Sequence, residues 1–151
     1  MSVVLRNAVP SDLAACRALL GALRASTAGA APVDPPEVDE AAAAPLFDAS
    51  RGEILLACED EAVLGMATVS YNVAMRYNGE YCQLEELIVT PAARGKNVGG
   101  LLLQGTIDRA RARGCKEMGL YLLERTEHNR GFYARYGFEA IGAEMRQSLI
   151  D

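Results

Sequence analysis

The sequence predicts an α/β protein with a single mixed, mostly antiparallel sheet flanked by helices, and three observations carry that prediction. Short apolar runs are bounded by Gly, Asn and acidic turns, as strands are. Two longer stretches repeat their apolar residues at helical spacing. Across the second of these the order strand–helix–strand demands one parallel crossover inside the sheet. A chain of 151 residues, 50% apolar and 23% charged, fits one domain over 1–151. A domain of that length buries roughly 70% of the surface its unfolded chain exposes.

The elements are taken in chain order. Val3–Val9 reads as a first strand ended by Pro10, with Ser11 as N-cap of a helix whose apolar face is Leu13, Cys16, Leu20 and Leu23. Residues 25–50 are Ala-, Pro- and acid-rich. Asp34-Pro35-Pro36-Glu37 looks like a cap, an N1 proline and an acidic first turn, and Pro45 should interrupt the helix that this start opens. That stretch reads as a weakly packed helix pair or a lid. Gly52–Cys58 and Val63–Tyr71 form a hairpin across Glu59-Asp60-Glu61, and Asn78-Gly79 turns the chain into a fourth strand, Tyr81–Thr90. A helix from about Val98 to Arg113 ends in arginines that suit its dipole, with Gly114 after it. Glu117–Leu123 is a fifth strand, Gly131–Tyr136 a short helix closed by Gly137, and Phe138–Leu149 a final strand.

Composition excludes several chemistries. The single His128 rules out a His-rich zinc site, so no metal is expected, and any Ser-His-Asp relay would have to pass through it. Cysteines at 16, 58, 82 and 115 show no Cys-x-x-Cys spacing and read as reduced thiols of a cytoplasmic protein. No apolar run approaches the ~20 residues of a membrane span, and there is no signal-peptide layout. The net charge of −5 argues against a nucleic-acid partner, yet it is uneven: residues 1–93 carry a net −8, residues 94–135 a net +5 and residues 136–151 a net −2.

The positive block begins where the chain changes character. Leu84–Val89 is a strand that runs through Thr90-Pro91-Ala92-Ala93 into Arg94-Gly95-Lys96-Asn97-Val98-Gly99-Gly100, which opens a helix. Such a turn offers backbone N–H groups at a helix N-terminus, where about half a positive charge gathers. Gly95, Gly99 and Gly100 let an anion approach the backbone, Arg94 and Lys96 add charge, and the site suits a pyrophosphate. Neither a nucleotide-hydrolysing P-loop nor a dinucleotide fingerprint is present. The same segment also fits an ordinary strand–turn–helix whose glycines serve only the turn.

Arg94–Gly100 resembles the Arg/Gln-x-x-Gly-x-Gly/Ala acyl-CoA loop of the GCN5-related N-acetyltransferase (GNAT) superfamily. Gly131-Phe132-Tyr133-Ala134-Arg135-Tyr136-Gly137-Phe138 is similar to that family's later Phe-Tyr-x-x-x-Gly-Phe motif. The order of elements matches over nearly the whole chain. There are two departures: Asn97 stands where the family usually has the first loop Gly, and Thr126 where many members carry an Asn that contacts pantetheine.

The resemblance implies acetyl-CoA as cosubstrate, held where the fourth and fifth strands splay apart. It implies that the backbone of Leu87, Ile88 and Val89 meets pantetheine and that Arg94, Gly95, Lys96, Asn97, Val98, Gly99 and Gly100 hold the pyrophosphate. In unbroken alternation Gln83, Glu85, Leu87 and Val89 share one strand face, the face that looks into the acceptor cleft in this family. Glu85 is therefore the expected base or amine-binding carboxylate, with Glu86 in its place should a bulge shift the register. Tyr133 matches the family's Tyr near the departing sulfur. Glu37, Asp39, Glu40, Asp48, Glu80, Glu85 and Glu86 would favour a cationic small-molecule amine. A peptide acceptor, a non-catalytic acyl-CoA-binding module, a structural α/β domain and a homodimer remain open.

Overall fold

A computed structural model describes residues 2–26 and 37–150. The strands are β1 (Val4–Asn7), β2 (Gly52–Glu59), β3 (Ala62–Ala74), β4 (Gly79–Val89) and β5 (Met118–Leu120). The helices are α1 (Leu13–Ser26), α2 (Glu40–Phe47), α3 (Val98–Arg113) and α4 (Arg130–Ala134). The five strands form one sheet in the order β1-β2-β3-β4-β5, antiparallel except for the parallel pair β4–β5. The chain falls into two compact units, Met1–Leu120 and Tyr121–Asp151.

Within the first unit, β2 and β3 are central and nearly continuous in apolar residues. Each is covered on both faces, so the two-residue alternation fades. One face carries Ile54, Leu56, Cys58, Met66 and Ile88, which pack with Ala8, Cys16 and Leu19 and, more peripherally, with Leu20, Leu23, Leu46 and Phe47. The other face receives α3. Helix and sheet approach closely there because neither contact point has a side chain: a Cβ on Gly105 would lie 2.8 Å from Leu5 Cδ1 and from Leu55 Cδ2. One on Gly65 would lie 2.7 Å from the Ile88 carbonyl oxygen and 3.0 Å from Val98 Cγ1 and Leu102 Cδ1.

Several local expectations need correction. Ser11 is not the cap of α1: residues Pro10–Asp12 form a single 3-10 turn, and Asp12 accepts the Val9 N–H at 2.7 Å. Arg6 grips the same carboxylate at 2.8 and 2.9 Å and holds its pKa below the usual carboxylate range. The helical turn therefore opens at Pro10 with Val9 as its N-cap, and Ser11 lies inside it rather than before it. The Asp34-Pro35-Pro36 start lies outside the described residues, and α2 is capped instead by Asp39, which accepts the Ala42 N–H at 2.8 Å. Pro45 does not interrupt α2. It forfeits one backbone bond, but Asp48 N–H to Ala44 O closes the last turn at 3.1 Å. Nor is α2 merely a lid, since Ala43 is buried and Leu46 and Phe47 join the core.

The C-terminal expectations differ most. β5 spans Met118–Leu120, shorter than Glu117–Leu123, and Phe138–Leu149 is not a strand. An apolar–polar alternation becomes a strand only where a neighbour supplies a ladder. Over 139–150 no ladder forms, and Ile141, Met145, Leu149 and Ile150 are exposed. In the second unit, α4 starts one residue earlier than expected, at Arg130, and ends two earlier, at Ala134; a turn separates it from Gly137, at φ 91°.

Gly65 tests the close packing directly. The oxygen that a new Cβ would strike belongs to backbone and cannot swing aside. Gly65→Ala is expected to lower unfolding stability by about 1–3 kcal/mol, measured from the urea midpoint, and an unchanged midpoint would refute the contact.

Candidate active site

Three features of the first unit converge on β4. The first is its edge. β5 pairs with β4 only at Cys82, Gln83 and Leu84, opposite Met118, Gly119 and Leu120, so residues 85–89 of β4 run on beyond that ladder. The direction of their backbone groups is set by one bond. Thr90 donates its N–H to Leu64 O at 2.9 Å, in register with Val89 opposite Gly65. Backbone groups alternate sides along a strand, so Ile88 turns its N–H and C=O to β3 while Leu87 and Val89 turn theirs to the open edge.

The second feature is a bulge. Thr68 lies opposite Glu86 but Val69 lies opposite Leu84, so Glu85 is the extra residue. The expected alternation therefore breaks: Gln83, Glu86 and Ile88 share the α1 side of the sheet with Ser70, Thr68 and Met66, while Leu84, Leu87 and Val89 lie on the α3 side. The bulge that would put Glu86 in Glu85's place is therefore present, and Glu86 holds the Gln83 face; Glu85 also reaches the α1-side residues, where its Oε2 accepts the Ser70 hydroxyl at 2.6 Å. Glu86 accepts the hydroxyl of buried Thr68 and donates its own N–H back to that oxygen at 3.1 Å. Two successive carboxylates thus stand on one face, which regular alternation forbids.

The third feature is the turn after β4. Ala93 and Val98 are buried and anchor its two ends, while Arg94, Gly95, Lys96 and Asn97 are exposed. Gly95 (φ 85°) and Asn97 (φ 55°, ψ 32°) take left-handed backbone, so Asn97 does in this turn what glycine does most easily. The first α3 bond runs from Leu101 N–H to Asn97 O at 3.0 Å, which leaves the N–H groups of Val98, Gly99 and Gly100 at the helix mouth. Lys96 is committed elsewhere, 2.9 Å from Glu59 Oε1.

The acidic residues read as an acceptor wall divide. Glu80 is bound by Arg113 at 2.8 and 3.2 Å, Asp39 caps α2, and Asp48 accepts Ser50 N–H at 2.9 Å. Glu37 stands 3.8 Å from Arg17. Glu40 is exposed in the first turn of α2, and Glu85 and Glu86 stand as the pair on the strand. Sequence reasoning missed Thr68, Ser70 and Asn72, although their signal was legible: three polar residues at a spacing of two inside a central strand.

In the second unit, Tyr133 is half-buried, with Phe132 at 5.1 Å and Phe138 at 6.1 Å between ring centroids. Burial pushes its phenol above the ordinary value of 10.0. Thr126 bonds Leu123 O at 3.1 Å within its own turn, and His128 is exposed. The cysteines are free, and burial pushes the Cys82 thiol up to about 12, which disfavours a nucleophilic thiolate. Among the described residues, no His/Cys/Asp/Glu cluster could hold a metal, and no helix is long and apolar enough to cross a membrane.

Residues 20–138 match the Acetyltransferase (GNAT) family. Over 71 residues the chain is 31% identical to glucosamine 6-phosphate N-acetyltransferase 1 of Oryza sativa subsp. japonica, a match covering 47% of this chain and 41% of that protein. Solved structures share the fold, among them two acetyltransferases. An acetyltransferase of Trypanosoma brucei is 23% identical with a TM-score of 0.75, over 98% of this chain and 100% of the other. Glucosamine-6-phosphate N-acetyltransferase of Arabidopsis thaliana is 18% identical with a TM-score of 0.76, over 99% and 100%.

The left-handed turn makes a stability prediction. Asn97→Val should cost about 1–2 kcal/mol, because a β-branched residue resists this conformation, whereas Asn97→Gly should be tolerated. Thermal unfolding of the two variants checks the order, and equal midpoints would count against it.

Proposed function

The chain belongs to the acetyltransferase (GNAT) family, and on that premise we propose that it moves an acetyl group from acetyl-CoA to a primary amine by direct attack on the thioester. The observation that carries this reading is the open β4 edge at Leu87 and Val89, which runs straight into the turn at Arg94–Gly100. An extended chain with amide groups can add to a sheet edge as a strand does, and pantetheine is such a chain. Ile88 lies between the two pairing residues. The amides of Val98, Gly99 and Gly100 suit the pyrophosphate, with Arg94 and Lys96 adding charge and Gly95 and Asn97 shaping the turn. Lys96 would have to release Glu59 to take part.

The acceptor must lose a proton. An alkylamine of pKa ~10.4 is neutral in about one molecule in 2,500 at pH 7, a handicap of roughly 4.6 kcal/mol. A carboxylate is too weak to take that proton outright, so Glu85 binds the ammonium and passes its proton on through water. Holding amine and thioester together contributes roughly 7–11 kcal/mol in favourable cases. Tyr133 donates a hydrogen bond to the departing thiolate. With a pKa raised above 10.0, it keeps its proton across neutral pH and serves as a donor rather than a full acid.

The acceptor is a small cationic amine. Glu85 and Glu86 together favour a second positive charge over the dianionic phosphate of glucosamine 6-phosphate, the compound in the names of the rice and Arabidopsis proteins. Residues 1–151 act as one N-acetyltransferase domain in this reading, and four free cysteines suit the reducing cytoplasm.

Thiol release from acetyl-CoA with spermidine, a lysine peptide and glucosamine 6-phosphate tests the proposal. Turnover is expected to be fastest with spermidine and to fall about tenfold or more in Glu85→Gln. Turnover with none of the amines would refute an enzyme, and full activity in the variant would remove Glu85. Tyr133→Phe is expected to lower kcat by about 10–100-fold. Any alkaline limb due to this phenol should lie above pH 10 in the pH–kcat profile, since its folded pKa is raised and the proton is lost later. A limb near pH 8 that the variant abolishes would contradict the assignment.

A further inference from the structure

We propose that Ser70 and Asn72 are positioning residues for Glu85, forming a hydrogen-bond relay that fixes its carboxylate toward the acceptor. The inference rests on the reading of Glu85 as the carboxylate that meets the acceptor amine.

The relay has only one direction. Asn72 Nδ2 donates to Ser70 Oγ at 3.0 Å, and Ser70 Oγ donates to Glu85 Oε2 at 2.6 Å. An amide N–H can only donate and an ionised carboxylate can only accept, while a serine hydroxyl has one hydrogen and two lone pairs. With a lone pair occupied by Asn72, the Ser70 hydrogen is committed to Glu85. A donor aimed at a charge forms the stronger kind of hydrogen bond.

Glu85 requires such a device more than its neighbour does. It is the bulged residue, exposed, and outside the pleat that directs the side chains on either side of it. A free glutamate there would lose rotamer entropy on each binding event. Glu86 is tied back to its own strand through Thr68, which bonds both its N–H and its carboxylate. Ser70 offers Glu85 a rigid base: its strand is paired on both sides, opposite Gly52 of β2 and Gln83 of β4. At Gly52 the strands approach so closely that a Cβ would fall 2.2 Å from Val69 O.

A double-mutant cycle separates positioning from a structural role. With acetyl-CoA and spermidine, Ser70→Ala is expected to lower kcat about tenfold in the Glu85 enzyme while leaving KM for acetyl-CoA unchanged. It should cause no further loss in Glu85→Gln. Ser70→Thr, which keeps the hydroxyl, should retain most activity. Asn72→Asp puts a second acceptor on Ser70 and should lower kcat as Ser70→Ala does. Equal losses from Ser70→Ala in both backgrounds, or Ser70→Thr as poor as Ser70→Ala, would overturn the relay while leaving the Glu85 reading intact. Full activity of Glu85→Gln, or no turnover of spermidine, would overturn that reading and the relay with it.

Discussion

One extra residue in β4 sets the arrangement on which the proposed site is built. The β3–β4 ladder runs from Gly65–Val89 to Ala74–Gly79, and only at Glu85 does β4 carry a residue that β3 does not match. An insertion in a paired strand exchanges the sides of everything beyond it. Here it brings Glu85 and Glu86 to one face and turns the backbone of Leu87 and Val89 to the edge that β5 leaves open. A regular strand would separate the two carboxylates and aim Glu86 and Ile88 outward instead. The polar side chains of Thr68, Ser70 and Asn72 are the complement of that bulge on β3.

The turn after β4 depends on the sheet for its position. Gly65 on β3 lets Val98 and Leu102 of α3 come within contact of the strand, so the N-terminus of α3 is held beside the end of β4. Farther along α3, Arg113 bonds Glu80 and the carbonyls of Ala49 and Ser50 and stacks 3.9 Å above Tyr71, and Arg109 bonds Asn7. Both ends of the helix are therefore fixed to β-strands. The groups proposed to accept the pyrophosphate are backbone N–H groups, which need no side-chain ordering to receive a ligand.

Much of this was legible in the sequence, because local signals and tertiary packing agree. Asn78-Gly79 and Gly114 sit at left-handed turns where they were expected, and α3 runs from Val98 to Arg113 as its periodicity predicts. Where the signals failed, a specific interaction won. Ser11 falls inside a turn that opens earlier, at Pro10, where Asp12 holds the Val9 N–H. Pro45 stayed inside α2 because only one backbone bond was lost. The alternation of Phe138–Leu149 has no ladder to complete it. The bulge was open as a contingency but could not be placed at Glu85, since a β-bulge depends on the partner strand and Leu84–Val89 contains no glycine to mark it. Glu80 looked like part of an acidic wall until Arg113, distant in sequence, claimed it.

The site proposed for acetyl-CoA is continuous from the Leu87–Val89 edge to the turn at the start of α3. Amide hydrogen exchange with and without acetyl-CoA tests it most directly. Slower exchange is expected at Leu87 and Val89, whose N–H groups face the open edge, together with Val98, Gly99 and Gly100, and little change at Ile88, which β3 already protects. Unchanged exchange at Leu87 and Val89 under saturating acetyl-CoA would contradict it.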